Sequence, residues 1–309
     1  MFHDLVRDEV TFESNLIGDF SIARDLDNAL YNFAVVVDDE RMKITHVIRG
    51  EDHIANTPKQ MLIIEALGFS QPQYAHLPLL LGPDRSKLSK RHGDTSVSDY
   101  RRDGYLPEAL VNFIALLGWN PGDDQEILSQ EELVQKFDIK QVQKSGAVVD
   151  VQKLDWMNGE YIRRKSVIEL AELCKPYLRE FSELPNLEKV IALEQPRLKK
   201  LSEITERAEF FFKQPEYDKE LLKWKDMADE EVFASLEKSK ELLTHAGENL
   251  QEVFFDAIGN GDKGKVLWPL RVALSGRKAS PGPFEIIDVL GKKVSIDRIE
   301  NAINKIKSQ

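Results

Sequence analysis

Short β-rich runs alternate with turns along residues 1–95, and one segment among them has a helical pattern of apolar positions. Ile44 to Ile48 is rich in β-branched residues, which favours a strand. We predict a helix over Thr57 to Leu67, with Thr57 as its N-cap, Gln60 closing a capping box and Gly68 ending the helix. This alternation of strand and helix is typical of an α/β domain.

Two polar loops follow strand-like runs in this first region. The first comes directly after the predicted strand and contains Arg49, Glu51, Asp52 and His53. The second follows the apolar run Leu77 to Leu81 and contains two lysines. Ligands of open α/β sheets bind beyond the carboxyl ends of the strands. We therefore expect the two loops to converge on one crevice.

From about residue 96 the pattern becomes helical. Leu106 to Leu117 carries apolar residues at helical spacing, and Gly118 ends the pattern. The remainder of the chain reads as helix almost throughout, with turn-rich breaks at 259–262 and 280–283. Further helical patterns cover Glu131 to Phe137 and Val167 to Phe181. The predicted fold class is α/β followed by all-α.

The composition is that of a soluble globular protein. Of the 309 residues, 42% are hydrophobic and 31% are charged, and we expect a cytoplasmic protein without a membrane span or signal segment. The net charge of −11 argues against a general nucleic-acid coat, but basic clusters such as Arg197 to Lys200 leave binding of a structured RNA open. Cys174 is the only cysteine, so we expect a buried thiol, no disulfide and no protein-bound zinc.

The most distinctive chemistry lies in the second loop, which reads Lys87-Leu88-Ser89-Lys90-Arg91. Two ammonium groups and a hydroxyl suit a reaction in which a phosphate is attacked and pyrophosphate leaves, because negative charge grows there in the transition state. A solvated surface loop has the same composition, and the motif alone leaves that alternative open. The absence of a Gly-Lys-Ser/Thr ending argues against a P-loop.

Four linked motifs between Tyr31 and Arg91 resemble, in order and spacing, those of bacterial glutamyl-tRNA synthetases. The motifs are Tyr31-Asn32-Phe33-Ala34-Val35-Val36-Val37-Asp38-Asp39, Thr45-His46-Val47-Ile48-Arg49-Gly50-Glu51-Asp52-His53, Asn56-Thr57-Pro58-Lys59-Gln60 and the lysine loop itself. Similar matches continue through Tyr105 to Trp119, Leu154 to Asn158 and Trp268 to Gly282. The resemblance covers practically the whole chain.

This resemblance implies a class I ligase that joins L-glutamate to tRNA(Glu) through a glutamyl-adenylate, using ATP with Mg²⁺. It leaves open whether tRNA(Gln) is also charged, and it implies a monomer when complete. It further implies three parts: residues 1–97 as the C-terminal half of a Rossmann-type catalytic domain, 98–165 as a helical stem-contact region and 166–309 as a helical anticodon-binding domain.

The resemblance also assigns individual residues. Lys90 matches the catalytic lysine that binds the polyphosphate in the transition state, with Lys87 and Ser89 as further ATP-binding residues. Arg49 and Tyr31 match the residues that bind glutamate, and a guanidinium suits a carboxylate because it binds in a bidentate way. Without the motifs, an ion pair with a neighbouring acid would explain Arg49, and partial burial would explain Tyr31. Arg271 and Arg277 are weak candidates for anticodon contact.

The first signature of the family, a His-Ile-Gly-His type tetrad, does not occur in this sequence. We therefore expect an exposed strand edge in the half-built sheet, and no formation of glutamyl-adenylate by these residues alone. A non-catalytic tRNA-binding protein derived from such an enzyme is the alternative.

Two related classes fit the sequence less well. Glutaminyl-tRNA synthetases usually carry β-barrels where this sequence reads as helix. A relative that acts on modified tRNA bases keeps the tetrad and lacks the helical half.

Overall fold

The computed structural model describes residues 1–88, 96–178, 186–245, 247 and 249–307. The chain forms two compact units. The first consists of Met1–Arg101 with Leu106–Met157, and the second of Arg102–Tyr105 with Asn158–Gln309.

A four-stranded sheet organises the first unit. Its strands stand in the order β2 (Asp8–Val10), β1 (Phe2–Asp4), β6 (Gln73–Leu77) and β5 (His46–Gly50). β1 is antiparallel to β2, whereas β1, β6 and β5 run parallel. The carboxyl ends of β5 and β6 therefore lie at the same edge of the sheet, and β5 is the last strand on its side.

Two helices of the first unit pack against each other beside this sheet. They are α1 (Tyr31–Arg41) and α2 (Thr57–Leu67). Val36, Ile63 and Ile64 form their buried core. Because α2 lies between β5 and β6 in the chain, these three elements make a parallel β-α-β connection.

Three local expectations for this region need correction. The strand predicted over Ile44 to Ile48 is β5, two residues later, because the turn that ends α1 takes up Lys43 and Ile44. The run Leu77 to Leu81 is not one strand, since Leu77 ends β6 and the short strand β7 (Leu80–Leu81) follows Pro78 and Leu79.

The third correction concerns the start of α2. Thr57 is helical and does not act as the N-cap, and Gln60 closes no capping box. A 3-10 helix over Glu51–Asn56 runs directly into α2. The backbone N–H of Thr57 therefore donates to the carbonyl of Ile54, and no side-chain cap forms at this position. The Thr57 hydroxyl and the Gln60 amide are used by other side chains instead. The predicted end at Gly68 is confirmed, because that glycine has φ +70°.

Short strands and helices complete the first unit. β3 (Ala23–Asp25) pairs with β4 (Asn28–Ala29), and β7 pairs with β8 (Ala147–Val148). The helices are α3 (Val97–Asp103), α4 (Pro107–Leu116), α5 (Gln130–Lys136) and α6 (Val151–Arg164), of which α3 and α6 each contribute residues to both units.

Beyond residue 166, the described part of the chain contains helices and no strand. These helices are α7 (Val167–Leu178), α8 (Leu187–Glu194), α9 (Ile204–Phe212), α10 (Asp229–His245), α11 (Leu250–Ile258), α12 (Gly264–Ser275), α13 (Pro283–Leu290) and α14 (Lys292–Lys307). α10 packs against α12 and α14, and the Cys174 side chain is fully buried in α7. The α/β then all-α fold class is confirmed, and β-barrels are absent from the described residues of this half.

No described helix combines the length and the apolar character needed to cross a membrane.

Candidate amino-acid and phosphate site

Arg49 lies near the carboxyl end of β5 and is held by two neutral side chains. Its Nε donates a hydrogen bond to Nε2 of His76 at 3.1 Å, and its Nη2 donates to Oγ1 of Thr57 at 2.7 Å. Arg49 and His76 are also partners in the register of β5 and β6. Because both side chains leave neighbouring strands at the same level, the contact follows directly from the strand pairing.

The acids that follow Arg49 in sequence are paired with other cations. Glu51 forms an ion pair with Arg7, whose Nη2 lies 2.6 Å from its Oε2, and Asp52 accepts a hydrogen bond from Nζ of Lys87 at 2.7 Å. Within the described ranges, no carboxylate forms an ion pair with Arg49. The ion pair with Glu51 or Asp52 that would have explained Arg49 without a ligand is therefore not formed.

Tyr31 is the first residue of α1, and its side chain is half exposed. Its hydroxyl lies 3.4 Å from Nδ1 of His53, and the two rings are tilted with centroids 5.7 Å apart. The backbone carbonyl of His53 accepts a weak hydrogen bond from Thr57, at 3.4 Å, and Thr57 in turn binds Arg49. Tyr31 and Arg49 thus reach the same turn before α2.

The lysine loop begins after β7 as a tight turn. Arg85 has φ +60°, and its amide donates to the carbonyl of Gly82 at 2.9 Å. Lys87 then pairs back with Leu81 in an isolated bridge, and its ammonium reaches Asp52. The contact brings the two polar loops together as predicted, although the second loop follows β7 of a separate two-stranded sheet and not a neighbour of β5. Ser89 and Lys90 lie outside the described residues, and their roles stay predictions.

Two buried residues behind Arg49 were not predicted from the sequence. His76 and Asp4 are both fully buried, and Nδ1 of His76 lies 2.6 Å from Oδ2 of Asp4. Burial raises the pKa of Asp4, but hydrogen bonds from His76 and from backbone amides outweigh it and hold that pKa below its ordinary value. Both strands contain further polar residues, so the sequence carries no signal that singles out this pair.

Burial is also the main perturbation at two further side chains near Arg49. It raises the pKa of Tyr74 to about 12, and the Arg49 guanidinium lies 5.9 Å from the centre of that ring. Burial likewise raises the pKa of Asp39, although the charge of Arg49 opposes the shift. At both side chains burial outweighs the charge of Arg49, which by itself would lower the pKa.

Among the described residues, no group of three His, Cys, Asp or Glu side chains is arranged to hold a metal ion.

Two family models match this chain. Residues 1–156 match the class I tRNA synthetases (E and Q) catalytic domain, and residues 169–303 match an anticodon binding domain. The chain belongs to the class I tRNA synthetase (E and Q) family.

Particular relatives are glutamate--tRNA ligases. That of Desulforamulus reducens is 43% identical, over 97% of this chain and 66% of its own length. That of Carboxydothermus hydrogenoformans is also 43% identical, over 98% of this chain and 66% of its own length. The resemblance to glutamyl-tRNA synthetases is confirmed, and the chain spans just under two thirds of the length of these relatives.

A solved structure supports the same relationship. A glutamate tRNA ligase from Elizabethkingia meningosepticum, crystallised in complex with its amino acid, superposes with a TM-score of 0.88 at 31% identity. The match covers 98% of this chain and 65% of that one.

Proposed function

We propose that this chain carries part of the active site of a glutamate--tRNA ligase, namely the part that holds the amino acid and the polyphosphate of ATP. The observation that carries the proposal is the state of Arg49. Its guanidinium has neutral partners, and the acids beside it are paired with Arg7 and Lys87. A carboxylate ligand would complete the pairing that the protein leaves open.

The proposed reaction has two steps. A carboxylate oxygen of glutamate attacks the α-phosphate of ATP, and pyrophosphate leaves; the 2′-hydroxyl of the terminal adenosine of tRNA then attacks the activated carbonyl, and AMP leaves. We assign Arg49 and Tyr31 to glutamate, and Lys87, Ser89 and Lys90 to the phosphates. Mg²⁺ would arrive with ATP and be held mostly by phosphate oxygens and water.

The proposed partners follow from the two matched domains. We propose residues 1–97 as catalytic, 98–165 as contacting the tRNA stem and 166–309 as binding the anticodon. tRNA(Glu) is the proposed substrate in the cytoplasm, and the completed enzyme is proposed to be a monomer. The unpaired side of β5 is the proposed pairing surface for the further strands of a complete sheet, because β5 is the last strand on that side.

The test compares two polypeptides in ATP-pyrophosphate exchange with glutamate and tRNA(Glu). The first is the 309-residue chain. The second, called the completed enzyme, is this chain fused behind the portion of the Desulforamulus reducens ligase that has no counterpart in it. We expect exchange from the completed enzyme and none above background from the chain alone. Absence of glutamate-dependent exchange in the completed enzyme would overturn the proposal.

The second candidate function is a non-catalytic tRNA-binding protein. The match of residues 169–303 to an anticodon binding domain favours it, because that region can contact tRNA without the chemistry of the first unit. A gel shift with tRNA(Glu), together with persistent inactivity of the completed enzyme, would support this candidate. Binding together with exchange supports the ligase.

A further inference from the structure

The orientation of Arg49 is set from behind by two hydrogen-bond acceptors. A guanidinium has donors and no acceptor, so Nε2 of His76 and Oγ1 of Thr57 must both accept from it. The two bonds occupy the edge of the guanidinium formed by Nε and Nη2. Among the residues that the structure describes, Nη1 has no hydrogen-bond partner. The end of the fork, formed by Nη1 and Nη2, is left for a ligand.

The acceptor role requires one particular form of the His76 ring. Nε2 faces the Nε–H group of Arg49, which can only donate, and the Thr57 hydroxyl at 3.1 Å, which can donate to it as well. The ring proton therefore belongs on Nδ1, where Asp4 accepts it at 2.6 Å. Oδ1 of Asp4 also accepts from the backbone amides of Val6, Arg7 and His76, at 3.0, 2.9 and 3.2 Å. The carboxylate is therefore fixed by the strands, and it fixes the tautomer of the imidazole.

The same arrangement keeps the ring neutral. Burial, above all, lowers the pKa of His76, and the charges of Arg49 and Arg7 lower it further, against the opposing effect of Asp4. A doubly protonated ring would place an N–H group opposite the Nε–H group of Arg49. The two donors would separate, and the guanidinium would keep only its hydrogen bond to Thr57.

We propose that His76, held by Asp4, is a positioning residue that orients Arg49 to bind one of the two carboxylates of glutamate. Asp4, His76 and Arg49 stand on the three adjacent parallel strands β1, β6 and β5, so the orientation is built into the sheet. Preorganisation of this kind removes the cost of ordering a long side chain when the ligand binds. The substrate part of the inference rests on the proposed function of Arg49.

The variant that separates positioning from folding is His76→Asn. An asparagine keeps a side-chain N–H group near the position of Nδ1, where it still donates to Asp4, but it is too short to accept from Arg49. His3→Asn is the matched control, because the His3 side chain is 62% exposed.

The first measurement is nitrogen-15 NMR of the 309-residue chain. In the wild type we expect a neutral His76 with its proton on Nδ1, and an Arg49 Nε–H signal that exchanges with water at least ~10-fold more slowly than that of Arg24, in line with a closed hydrogen bond. Arg24 is the comparison because its side chain is exposed. His76→Asn should abolish the slow exchange, and His3→Asn should preserve it.

The second measurement uses the completed enzyme. His76→Asn should raise the KM for glutamate by about 3- to 30-fold, the range of one lost hydrogen bond to a charged group in a partly compensated site, and leave the KM for ATP unchanged. Protonation of His76 on Nε2, or slow Arg49 exchange that survives His76→Asn, would overturn the inference. The NMR measurement of the His76 tautomer uses the wild-type chain alone, so it tests the inference even if His76→Asn fails to fold.

The two proposals fail separately. If the NMR result is as expected but Arg49→Lys leaves the KM for glutamate unchanged, the proposed function of Arg49 is wrong. The inference that His76 orients Arg49 through a hydrogen bond is then still supported.

Discussion

Nζ of Lys87 lies 2.7 Å from Oδ2 of Asp52, and this contact joins the lysine loop to the turn that follows β5. The side chains are 63% and 40% exposed, so solvent and ligands reach both. The hydrogen bond from Lys87, above all, lowers the pKa of Asp52. Asp52 therefore binds the ammonium group of Lys87, which we assign to the phosphates of ATP. The Asp52 carboxylate and the ATP phosphates compete for this ammonium group.

This competition leads to a prediction for Asp52→Asn in the completed enzyme. Removal of the carboxylate should lower the KM for ATP about 2- to 5-fold, because Lys87 no longer exchanges one anion for another, and the gain should shrink at high salt. Asp8→Asn is the control, since Asp8, on β2, forms a similar exposed pair with Lys144. An increase in the KM for ATP would contradict the competition and indicate that Asp52 orders the loop productively.

The buried pair of Asp4 and His76 should make stability depend on pH. The folded pKa of His76 is below its unfolded value of about 6.5, so the unfolded chain binds more protons as the pH falls through that value. The stabilisation that this group provides is full above the unfolded pKa and decreases as the pH falls toward the folded pKa.

Urea unfolding of the 309-residue chain at several pH values tests this direction of the pH dependence. At pH 7.5 we expect His76→Asn to lower the free energy of unfolding by about 1–3 kcal/mol, as for other lost buried hydrogen bonds. The difference from the wild type should shrink by pH 5, because the variant has no titrating ring at this position. His3→Asn should run parallel to the wild type. A difference that widens toward acid would mean that His76 is protonated in the folded state.

Cys174 should report unfolding of the helical unit. The side chain is fully buried in α7, and burial raises the pKa of its thiol to about 12. At pH 8 we expect no labelling by a thiol reagent in the folded chain and complete labelling in urea, because the thiolate is the reacting form.

The control for this prediction places a cysteine on the same helix. Ile168→Cys in a Cys174→Ala background should label at once, since Ile168 is 67% exposed. Rapid labelling of Cys174 in the native chain would show that α7 opens far more often than its packing implies.

The sequence predicted the elements whose signals are local. The end of α2 at Gly68 and the start of a helix near Pro107 could be predicted, because glycine ends a helix and proline begins one through effects confined to a single turn. Arg49 was predicted in the loop after the strand over Ile44 to Ile48 and lies within β5 instead, because the strand begins and ends two residues later than predicted. The start of α2 was predicted wrongly because the Thr57 hydroxyl has a partner eight residues earlier in sequence, and no capping rule contains that contact.

The support of Arg49 could not be predicted from the sequence. Asp4 and His76 are 72 residues apart, and each looks like an isolated polar residue in a short strand. Only the pairing of β1 with β6, and of β6 with β5, brings them behind Arg49. Local sequence patterns can predict where a strand lies in the chain. They do not predict which strands pair or in which register, because that depends on the whole sheet.

The most direct test of the account is the split between KM values in Arg49→Lys. In the completed enzyme this change should raise the KM for glutamate about 10- to 100-fold, because an ammonium cannot replace the two-point contact of the guanidinium fork, and it should leave the KM for ATP within about 2-fold. Arg24→Lys, at an exposed position of β3, should change neither. Equal changes in both KM values, or none in that for glutamate, would contradict the assignment of Arg49 to the substrate carboxylate.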